Sequence, residues 1–210
     1  MVSCVCCGGE YYKLWIYSTA VSNSVLILLQ PLLQMTKKVV IVGGPAGCGK
    51  STVGEFISKQ LGYSFIEGDT MHPVENIEKM SNGIPLNDND RWGWLQTIVS
   101  TCAETLVQGS NGVVVTCSSL KRSYRNVLRK FDEGVQVVFI FLLVDETALL
   151  KRVAARKNHY MKVEMVQSQL ATLERPSAEE TDTIILYVNA KDSIDQVCTA
   201  ALNQVEHDRT

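Results

Sequence analysis

The sequence has little net charge, no apolar run long enough to cross a membrane, and no regular spacing of cysteines. Its 20 basic and 22 acidic side chains leave a formal net charge of −2. Nucleic-acid surfaces depend on clustered positive charge, so we expect no nucleic-acid partner and predict a small-molecule partner instead. The apolar run at residues 25–29 is far shorter than the roughly 20 residues that span a bilayer, so no membrane partner is expected.

The seven cysteines indicate neither a disulfide framework nor a zinc site. Three of them crowd the first seven positions, and the other four, at positions 48, 102, 117 and 198, are scattered. Structural zinc sites need pairs of ligands at short fixed spacings, which this distribution does not offer. Because free thiols persist in reducing compartments, the sequence predicts a cytoplasmic protein.

Residues 1–34 differ in composition from the rest, with Glu10 and Lys13 as their only charged side chains. They lack the basic start of a secretory signal and the several arginines of a mitochondrial transit peptide. We expect a poorly ordered extension at 1–34, with Met35 standing like a second start before one globular domain at 35–210. A weak membrane or organelle address is the alternative interpretation of this segment.

Strand-like and helix-like runs alternate from Lys37 onward, which is typical of a parallel sheet covered on both faces. The apolar runs that predict strands lie at 38–42, 63–67, 113–117, 135–143 and 183–188. The patterns that predict helices lie at 51–61, 91–108, 120–130, 146–157 and 193–206. The sequence therefore predicts an α/β fold in which helices flank a parallel five-stranded sheet.

Residues 44–51 have the pattern of a phosphate-binding loop, G-x-x-x-x-G-K-S, between the first strand and the first helix. In such a loop the backbone N–H groups and the helix N-terminus bind phosphates. Lys50 is expected to reach the β- and γ-phosphates, and Ser51 to bind Mg²⁺. The loop thus predicts a nucleoside triphosphate site, with ATP as the expected nucleotide. Its predicted binding residues are Gly44, Pro45, Ala46, Gly47, Cys48, Gly49, Lys50, Ser51 and Thr52.

Two carboxylates, Glu67 and Asp69, stand at the end of the second predicted strand. Residues two apart on a strand share a face, and the carboxyl ends of parallel strands form the ligand crevice. We expect Asp69 to accept or orient the proton of an acceptor hydroxyl and Glu67 to hold Mg²⁺ through water. The alternative for Glu67 is a helix-capping role. The polar region that follows is where an acceptor substrate is expected.

A long spaced pattern runs from Gly68 to Leu95: G-D-x-x-H-P-x-x-N-x-x-K-M-x-x-G-x-P-L-x-D-x-D-R-x-x-W-L. It closely resembles the signature of gluconokinases. Two later segments agree with it. Residues 117–129 match C-S-x-L-K-x-x-Y-R-x-x-L-R, and residues 152–176 contain R-x-x-x-R-x-x-H-x-M followed by S-Q-x-x-x-L-E-x-P.

The resemblance implies a phosphate-loop NTPase fold of the nucleoside-monophosphate/shikimate-kinase type, with an acceptor-binding insertion at 68–95 and a lid at about 152–176. It implies transfer of the ATP γ-phosphoryl group to the 6-hydroxyl of D-gluconate, with Mg²⁺, to give 6-phospho-D-gluconate for the pentose phosphate pathway. Lys50, Asp69 and Arg156 would be the catalytic residues. Arg152, one helical turn before Arg156, would contact the nucleotide. Relatives of this kind are often dimers, so a homodimer is expected from the resemblance. No surface pattern in the sequence itself indicates one.

Gluconate is a small anion with many hydroxyls, so its pocket should contain cationic groups for the carboxylate and polar groups for the hydroxyls. The expected substrate residues are, as cationic groups for the carboxylate, Arg91, Lys121, Arg125 and His72 and, as polar groups for the hydroxyls, Asp69, Asn76 and Asp88. For Arg125 the alternative is a solvated basic stripe with Arg129, four residues later on the same helix face. For Arg152 and Arg156 it is a pair of cations that favour a helix C-terminus.

Two other functions stay open on the sequence alone. One is a kinase that uses the same loop, carboxylate and lid on shikimate or another small hydroxy acid. The other is a nucleotide-binding switch protein that transfers nothing to a small molecule. The pattern from Gly68 to Leu95 favours gluconate over the other acceptors. The presence of both an acceptor insertion and a lid argues against the switch protein.

Overall fold

A computed structural model of the chain describes residues 36–154, 163–189 and 191–207. Within them lies one parallel sheet of five strands in the order β2-β3-β1-β4-β5. The strands are β1 (Lys37–Gly43), β2 (Ser64–Glu67), β3 (Gly112–Thr116), β4 (Val135–Val144) and β5 (Thr183–Val188). All four strand pairs are parallel, which confirms the predicted fold class.

Helices connect the strands. They are α1 (Lys50–Leu61), α2 (Val74–Ser81), α3 (Asp88–Val107), α4 (Arg122–Leu128), α5 (Glu146–Ala154), α6 (Val163–Thr172) and α7 (Ile194–His207). A short 3₁₀ turn, Gly68–Met71, follows β2. None of the described helices is long and apolar enough to cross a membrane.

The central strand β1 explains why both faces of the sheet are buried. Its residues alternate in direction, so Val40 and Val42 belong to a core with α1 and α7, whereas Val39 and Ile41 belong to a second core with α3 and α4. All four side chains are at most 1% exposed. Such two-sided burial is why the central strands β1, β3 and β4 are largely apolar runs, whereas the edge strands β2 and β5 are mostly half-buried.

Two helices, α2 and α6, were not predicted by the sequence patterns. The polar region predicted as an irregular insertion contains α2, which buries only Asn76 and Met80 and ends before Gly83, whose φ is +75°. The long helix α3 begins at Asp88 rather than 91, because Asn87 and Asp90 form a capping box there. The helix predicted at 120–130 is shorter, since Ser119 has a φ of +43° and helical geometry starts only at Arg122.

Candidate active site

The phosphate loop joins the carboxyl end of β1 to the N-terminus of α1. Gly44, Gly47 and Gly49 have φ values of +128°, +87° and +107°, a region that glycine enters without a steric penalty. No side chain caps the N-terminus of α1. The first N–H groups of this helix are therefore left for a ligand, which is the arrangement that binds phosphate.

Two neighbouring segments hold the loop in place. The N–H of Gly44 donates to the carbonyl of Ser118 over 3.2 Å, and Lys50 Nζ donates to the carbonyl of Pro45 over 3.2 Å. Helix α5 packs so closely that a Cβ atom at Gly47 would lie 2.6 Å from Val153. Cys48 is 2% exposed beneath the loop, and burial raises the pKa of its thiol.

The turn after β2 sets the position of Asp69. The N–H of Gly68 donates to Thr116 Oγ1 over 3.1 Å, and Trp94 Nε1 donates to the carbonyl of Gly68 over 2.8 Å. A Cβ atom at Gly68 would stand 2.0 Å from the carbonyl oxygen of Thr116, so only glycine allows this approach. Thr116 also donates its hydroxyl hydrogen to Glu67, and the 3₁₀ turn has no side-chain cap. The structure therefore gives Glu67 a partner on β3 and no capping role.

One pocket brings the phosphate loop and the acceptor insertion together. From the predicted site residues it contains Ala46 and Lys50 on the loop, and Asp69, His72 and Arg91 from the insertion. The other lining residues are Met80, Pro85, Leu86, Ser118, Met165, Ser168 and Gln169. A γ-phosphoryl group reached by Lys50 and an acceptor hydroxyl beside Asp69 would meet in this pocket.

Arg91 is the buried cation of the pocket. Its side chain lies over the Tyr124 ring at 5.6 Å, and one of its nitrogens donates to the carbonyl of Leu86 over 3.2 Å. The residue is 7% exposed, and its Nε has no hydrogen-bond partner. Among the described residues no carboxylate pairs with Arg91. Asp88 and Asp90 lie nearby: besides the hydrogen bonds from Lys121 and Lys79, the charge of Arg91 lowers the pKa of each. A buried guanidinium without a direct carboxylate contact is costly, so the pocket favours an anion.

His72 is held as a neutral imidazole. Its ring stacks on Trp94 with the ring centres 4.0 Å apart, and its Nδ1 lies 3.4 Å from the amide nitrogen of Asn76. That nitrogen also donates to the carbonyl of Asp90 over 2.6 Å, so the amide faces His72 with its NH₂ group. His72 Nδ1 therefore accepts and Nε2 carries the hydrogen. Because burial lowers the pKa of His72 to about 4, the expected cationic role is corrected to that of a neutral donor.

The comparisons with known proteins identify the family of the chain. Residues 39–176 match the model of a family described as AAA domain. The chain is 51% identical over 174 residues to a protein of Schizosaccharomyces pombe (strain 972 / ATCC 24843) named probable gluconokinase, covering 81% of this chain and 90% of that protein. The chain belongs to the gluconokinase family.

Solved structures support the same assignment. The crystal structure of a gluconokinase from Sinorhizobium meliloti 1021 shares 42% sequence identity with the chain, with a TM-score of 0.68 over 83% of this chain and 95% of that one. A thymidylate kinase from Candida albicans, at 15% identity and a TM-score of 0.57 over 83% of this chain and 93% of that one, shares the fold. The gluconokinase-family chain thus has the phosphate-loop kinase fold that the sequence predicted.

The structure does not bring Arg125 into the pocket of this gluconokinase-family chain. Arg125 is fully buried, and its Nε and Nη2 donate to Glu180 over 2.7 and 2.6 Å. Its Nη1 donates to the carbonyls of Ser119 and Glu174 over 3.0 and 3.1 Å. The sequence-based interpretation of Arg125 as a substrate ligand is corrected: the side chain joins the loop after β3 to the segment before β5. The alternative of a solvated stripe is wrong for the same reason.

Asp88, Lys121 and Asn76 lie near the pocket without lining it. Lys121 Nζ donates to both carboxylate oxygens of Asp88 over 2.8 and 2.9 Å, and the Tyr124 hydroxyl donates to Asp88 over 2.6 Å. The hydrogen bond from Lys121 is the main cause that lowers the pKa of Asp88. Asn76 acts on the pocket through His72. In the described residues these predicted substrate residues therefore act through neighbours: Asn76 contacts His72, and Asp88 and Lys121 contact Tyr124, whose ring lies under Arg91.

The predicted lid is described only in part. Arg152 is half-buried on α5, the helix that packs on the phosphate loop, whereas Arg156 lies outside the described residues. The extension at 1–34 lies outside them as well. Sequence reasoning missed Met165 and Gln169 of α6 as pocket residues. The signal available for Gln169 was its place in the S-Q-x-x-x-L-E-x-P segment.

Proposed function

We propose that this chain is a gluconokinase that converts ATP and D-gluconate to ADP and 6-phospho-D-gluconate. The observation that carries the proposal is the buried Arg91, which has no carboxylate partner among the described residues and lines the same pocket as Lys50 and Asp69. A kinase acting on an uncharged sugar would not need a buried cation on the acceptor side. An acid substrate supplies the missing carboxylate.

The reaction follows from the residues around the pocket. The acceptor hydroxyl oxygen forms a bond to the γ-phosphorus while the bond from that phosphorus to the β,γ-bridging oxygen breaks, and ADP leaves with the bond electrons. Asp69 orients the hydroxyl and takes its proton. Lys50 and the N–H groups of the phosphate loop stabilise negative charge on the transferring group. We assign Arg156 and Arg152 to the same charge, delivered when the lid closes.

The hydroxyls of gluconate need hydrogen-bond partners without charge. The neutral His72 offers Nε2–H to the pocket, and stacking on Trp94 fixes the plane of its ring. We propose that His72 donates to one hydroxyl and that Asn76 selects the donor form of the imidazole. Asp88 and Lys121, joined to each other and to Tyr124, would keep the ring beneath Arg91 in place.

Magnesium fits the residues beside the loop. Ser51 is exposed at the start of α1, and Glu67 lies at the end of β2 on the same edge of the sheet. Mg²⁺ in kinases takes one or two protein groups and completes its shell with phosphate oxygens and water, so no dedicated cluster of ligands is required. Ser51 and, through water, Glu67 would hold the ion, which neutralises charge between the β- and γ-phosphates when bound.

The decisive experiment measures ADP release from Mg·ATP by the full chain and by residues 35–210, against D-gluconate, shikimate, other sugar acids and nucleoside monophosphates. We expect stimulation by D-gluconate. A response to shikimate alone would establish the other kinase, and tight ATP binding with no response to any acceptor would favour the switch protein. Equal turnover by both chains would show that the first 34 residues are dispensable.

Two variants test the roles of the site. Asp69→Asn should lower kcat by about 10²- to 10⁴-fold, the usual contribution of general acid–base catalysis, while ATP still binds. Arg91→Gln should raise KM for gluconate by about 30-fold, because a charge-assisted contact of about 2 kcal/mol is lost. Arg122→Gln is the matched control, since Arg122 is exposed and pairs with Glu179 away from the pocket.

Location and assembly are proposed on less direct grounds. The four described cysteines, at 48, 102, 117 and 198, are free and buried, which suits a reducing compartment, so we place the enzyme in the cytoplasm. A homodimer is proposed from the family alone. Light scattering on the purified chain would show a mass twice that of the monomer, and a monomer mass would reject it.

A further inference from the structure

Gln169 joins helix α6 to the phosphate loop. Its Oε1 accepts the N–H of Ala46 over 2.8 Å, a contact between residues 123 apart in the sequence. Helix α6 is anchored for this contact by Met165 and Val166, which are 4% and 0% exposed in the core. These residues precede Gln169 by four and three positions, so all three lie on one face of the helix. The side chain of Gln169 is therefore held over the loop by a packed element.

The hydrogen bond fixes which end of the amide faces the loop. A backbone N–H can only donate, so the oxygen of Gln169 must face Ala46 and the NH₂ group must face elsewhere. Gln169 lines the pocket together with Lys50, Asp69 and Arg91. Within the described chain no acceptor is paired with Gln169 Nε2. The amide thus supplies two uncharged donors beside the groups assigned to phosphoryl transfer.

The loop atom that Gln169 contacts is one that belongs to the phosphate cradle. Backbone N–H groups of this loop are the donors that bind phosphates, and Ala46 is the loop residue that shares the pocket with Lys50 and Asp69. If phosphoryl transfer takes place between Lys50 and Asp69 in this pocket, the transferring group is the phosphate nearest to Ala46. A ligand that ends at the β-phosphate would leave this part of the loop unfilled.

We propose that Gln169 is a γ-phosphate-binding residue that makes the site favour a triphosphate over a diphosphate. Its oxygen keeps the Ala46 end of the loop in place, and its Nε2 donates to an oxygen of the γ-phosphoryl group. The inference rests on the proposed function only in assigning this pocket to phosphoryl transfer. It adds a neutral donor beside the cation Lys50, and so brings directional contact without further charge.

A binding experiment tests the inference without any acceptor. Calorimetry measures the Kd of Mg·ADP and of the imido analogue of ATP for wild type, Gln169→Glu and Gln167→Glu. Gln167 is the matched control, because it lies on the same helix and is exposed. A carboxylate at 169 cannot donate and repels phosphate, so the Kd of the analogue should rise at least tenfold while that of ADP changes less than twofold. Gln167→Glu should change neither constant.

Three results would overturn the inference: an unchanged Kd of the analogue in Gln169→Glu, equal weakening of both nucleotides, or the same weakening in Gln167→Glu. If Gln169→Glu fails to fold in a melting experiment, Gln169→Met keeps the shape without charge. It should weaken the analogue by a smaller factor, again with ADP unchanged, and equal weakening of both would again refute the inference.

Steady-state kinetics supplies a second readout. Removing one preorganised donor to a transition state costs about 10²- to 10³-fold in kcat, so Gln169→Glu should lower kcat by about 100-fold with KM for gluconate within threefold. A purely structural role would lower the melting temperature and leave kcat of the folded variant unchanged. If Gln169→Glu weakens binding of the analogue alone but wild type does not phosphorylate gluconate, the proposed function fails and the inference about Gln169 stands.

Discussion

Replacing Glu180 with Gln should destabilise the protein strongly, because it removes the counter-ion of a fully buried guanidinium. Arg125 is 0% exposed and Glu180 3% exposed in their side chains, and two hydrogen bonds of 2.6 and 2.7 Å join them. Glutamine keeps the shape of the side chain but can accept on only one atom. Breaking a buried pair by removing one partner costs about 3 to 5 kcal/mol in the free energy of unfolding. For a chain of this size that corresponds to a fall in melting temperature of about 10 °C.

The neighbouring residue is the control. Glu179 pairs with Arg122 over 2.9 Å, but the two side chains are 74% and 49% exposed. Exposed pairs contribute about 0 to 1 kcal/mol, so Glu179→Gln should be close to neutral. Urea unfolding followed by circular dichroism would measure the free energy of unfolding of wild type and both variants. Similar losses in the two variants, or a loss below about 1 kcal/mol in Glu180→Gln, would refute the argument from burial.

The same pair predicts a pH dependence. Hydrogen bonds from Arg125 lower the pKa of Glu180 from 4.5 to about 2. A carboxylate with a depressed pKa stabilises the folded state above its unfolded pKa, and this contribution is lost as the pH falls through the folded pKa. The difference between wild type and Glu180→Gln should therefore be constant above about pH 5 and shrink between about pH 4.5 and pH 2. A difference that does not change over this interval would contradict the assignment of Arg125 as the cause.

Arg125→Met separates a structural role from substrate binding. The structure predicts a loss of stability with KM for gluconate within threefold at a temperature where the variant is folded. A substrate ligand would give the reverse, a large rise in KM at unchanged stability. The double variant with Glu180→Met should recover stability, since two apolar side chains of similar volume need no counter-ion.

Three further predictions follow from single residues. Burial lowers the pKa of His72 to about 4, so between about pH 6.5 and pH 4 the unfolded chain binds a proton at this residue and the folded chain does not. The free energy of unfolding relative to His72→Gln should therefore fall by up to about 3 kcal/mol over this interval. A pH-independent difference in urea unfolding would contradict this. Gly68→Ala should destabilise by more than about 2 kcal/mol, since its Cβ would collide with the carbonyl of Thr116, whereas Gly93→Ala in open space on α3 should stabilise slightly; equal effects on the melting temperature would be the wrong result. Cys48 should react with iodoacetamide only after unfolding, as peptide mapping would show, because its buried thiol has a raised pKa; rapid labelling of the folded protein would refute it.

Local patterns were sufficient to predict the elements of the sheet. The central strands β1, β3 and β4 are largely apolar because most of their residues are buried on both faces, and that condition leaves a direct trace in the sequence. The edge strands β2 and β5 are mostly half-buried. The phosphate loop could also be predicted from the sequence, because the backbone conformation of this eight-residue segment requires its glycines. Helix α2 was not predicted although its apolar residues Val74, Ile77 and Met80 recur every three positions. The helix has only eight residues, and Val74 and Ile77 remain exposed, so the stripe is short and mostly unburied.

The candidate site was only partly readable. The sequence predicted that Asp69 and Lys50 lie close together, because both follow parallel strands at the same edge of the sheet. Arg125 could not be interpreted in this way. Its role depends on Glu180, 55 residues later, and no local spacing reveals that the segment before β5 folds back over α4.

The sequence by itself determined the class of sheet, the nucleotide loop and the resemblance to gluconokinases, because each of these is encoded by neighbouring residues that act through the backbone or through one buried face. Only the tertiary structure decided which charged side chains face the pocket. Among the described residues Arg91 forms no ion pair with a carboxylate, Arg125 is neutralised by Glu180, and His72 loses its charge by burial. The same tertiary contacts place Gln169 on the phosphate loop. Charge, protonation and pairing depend on what surrounds a side chain in space, and residues distant in the chain supply those surroundings.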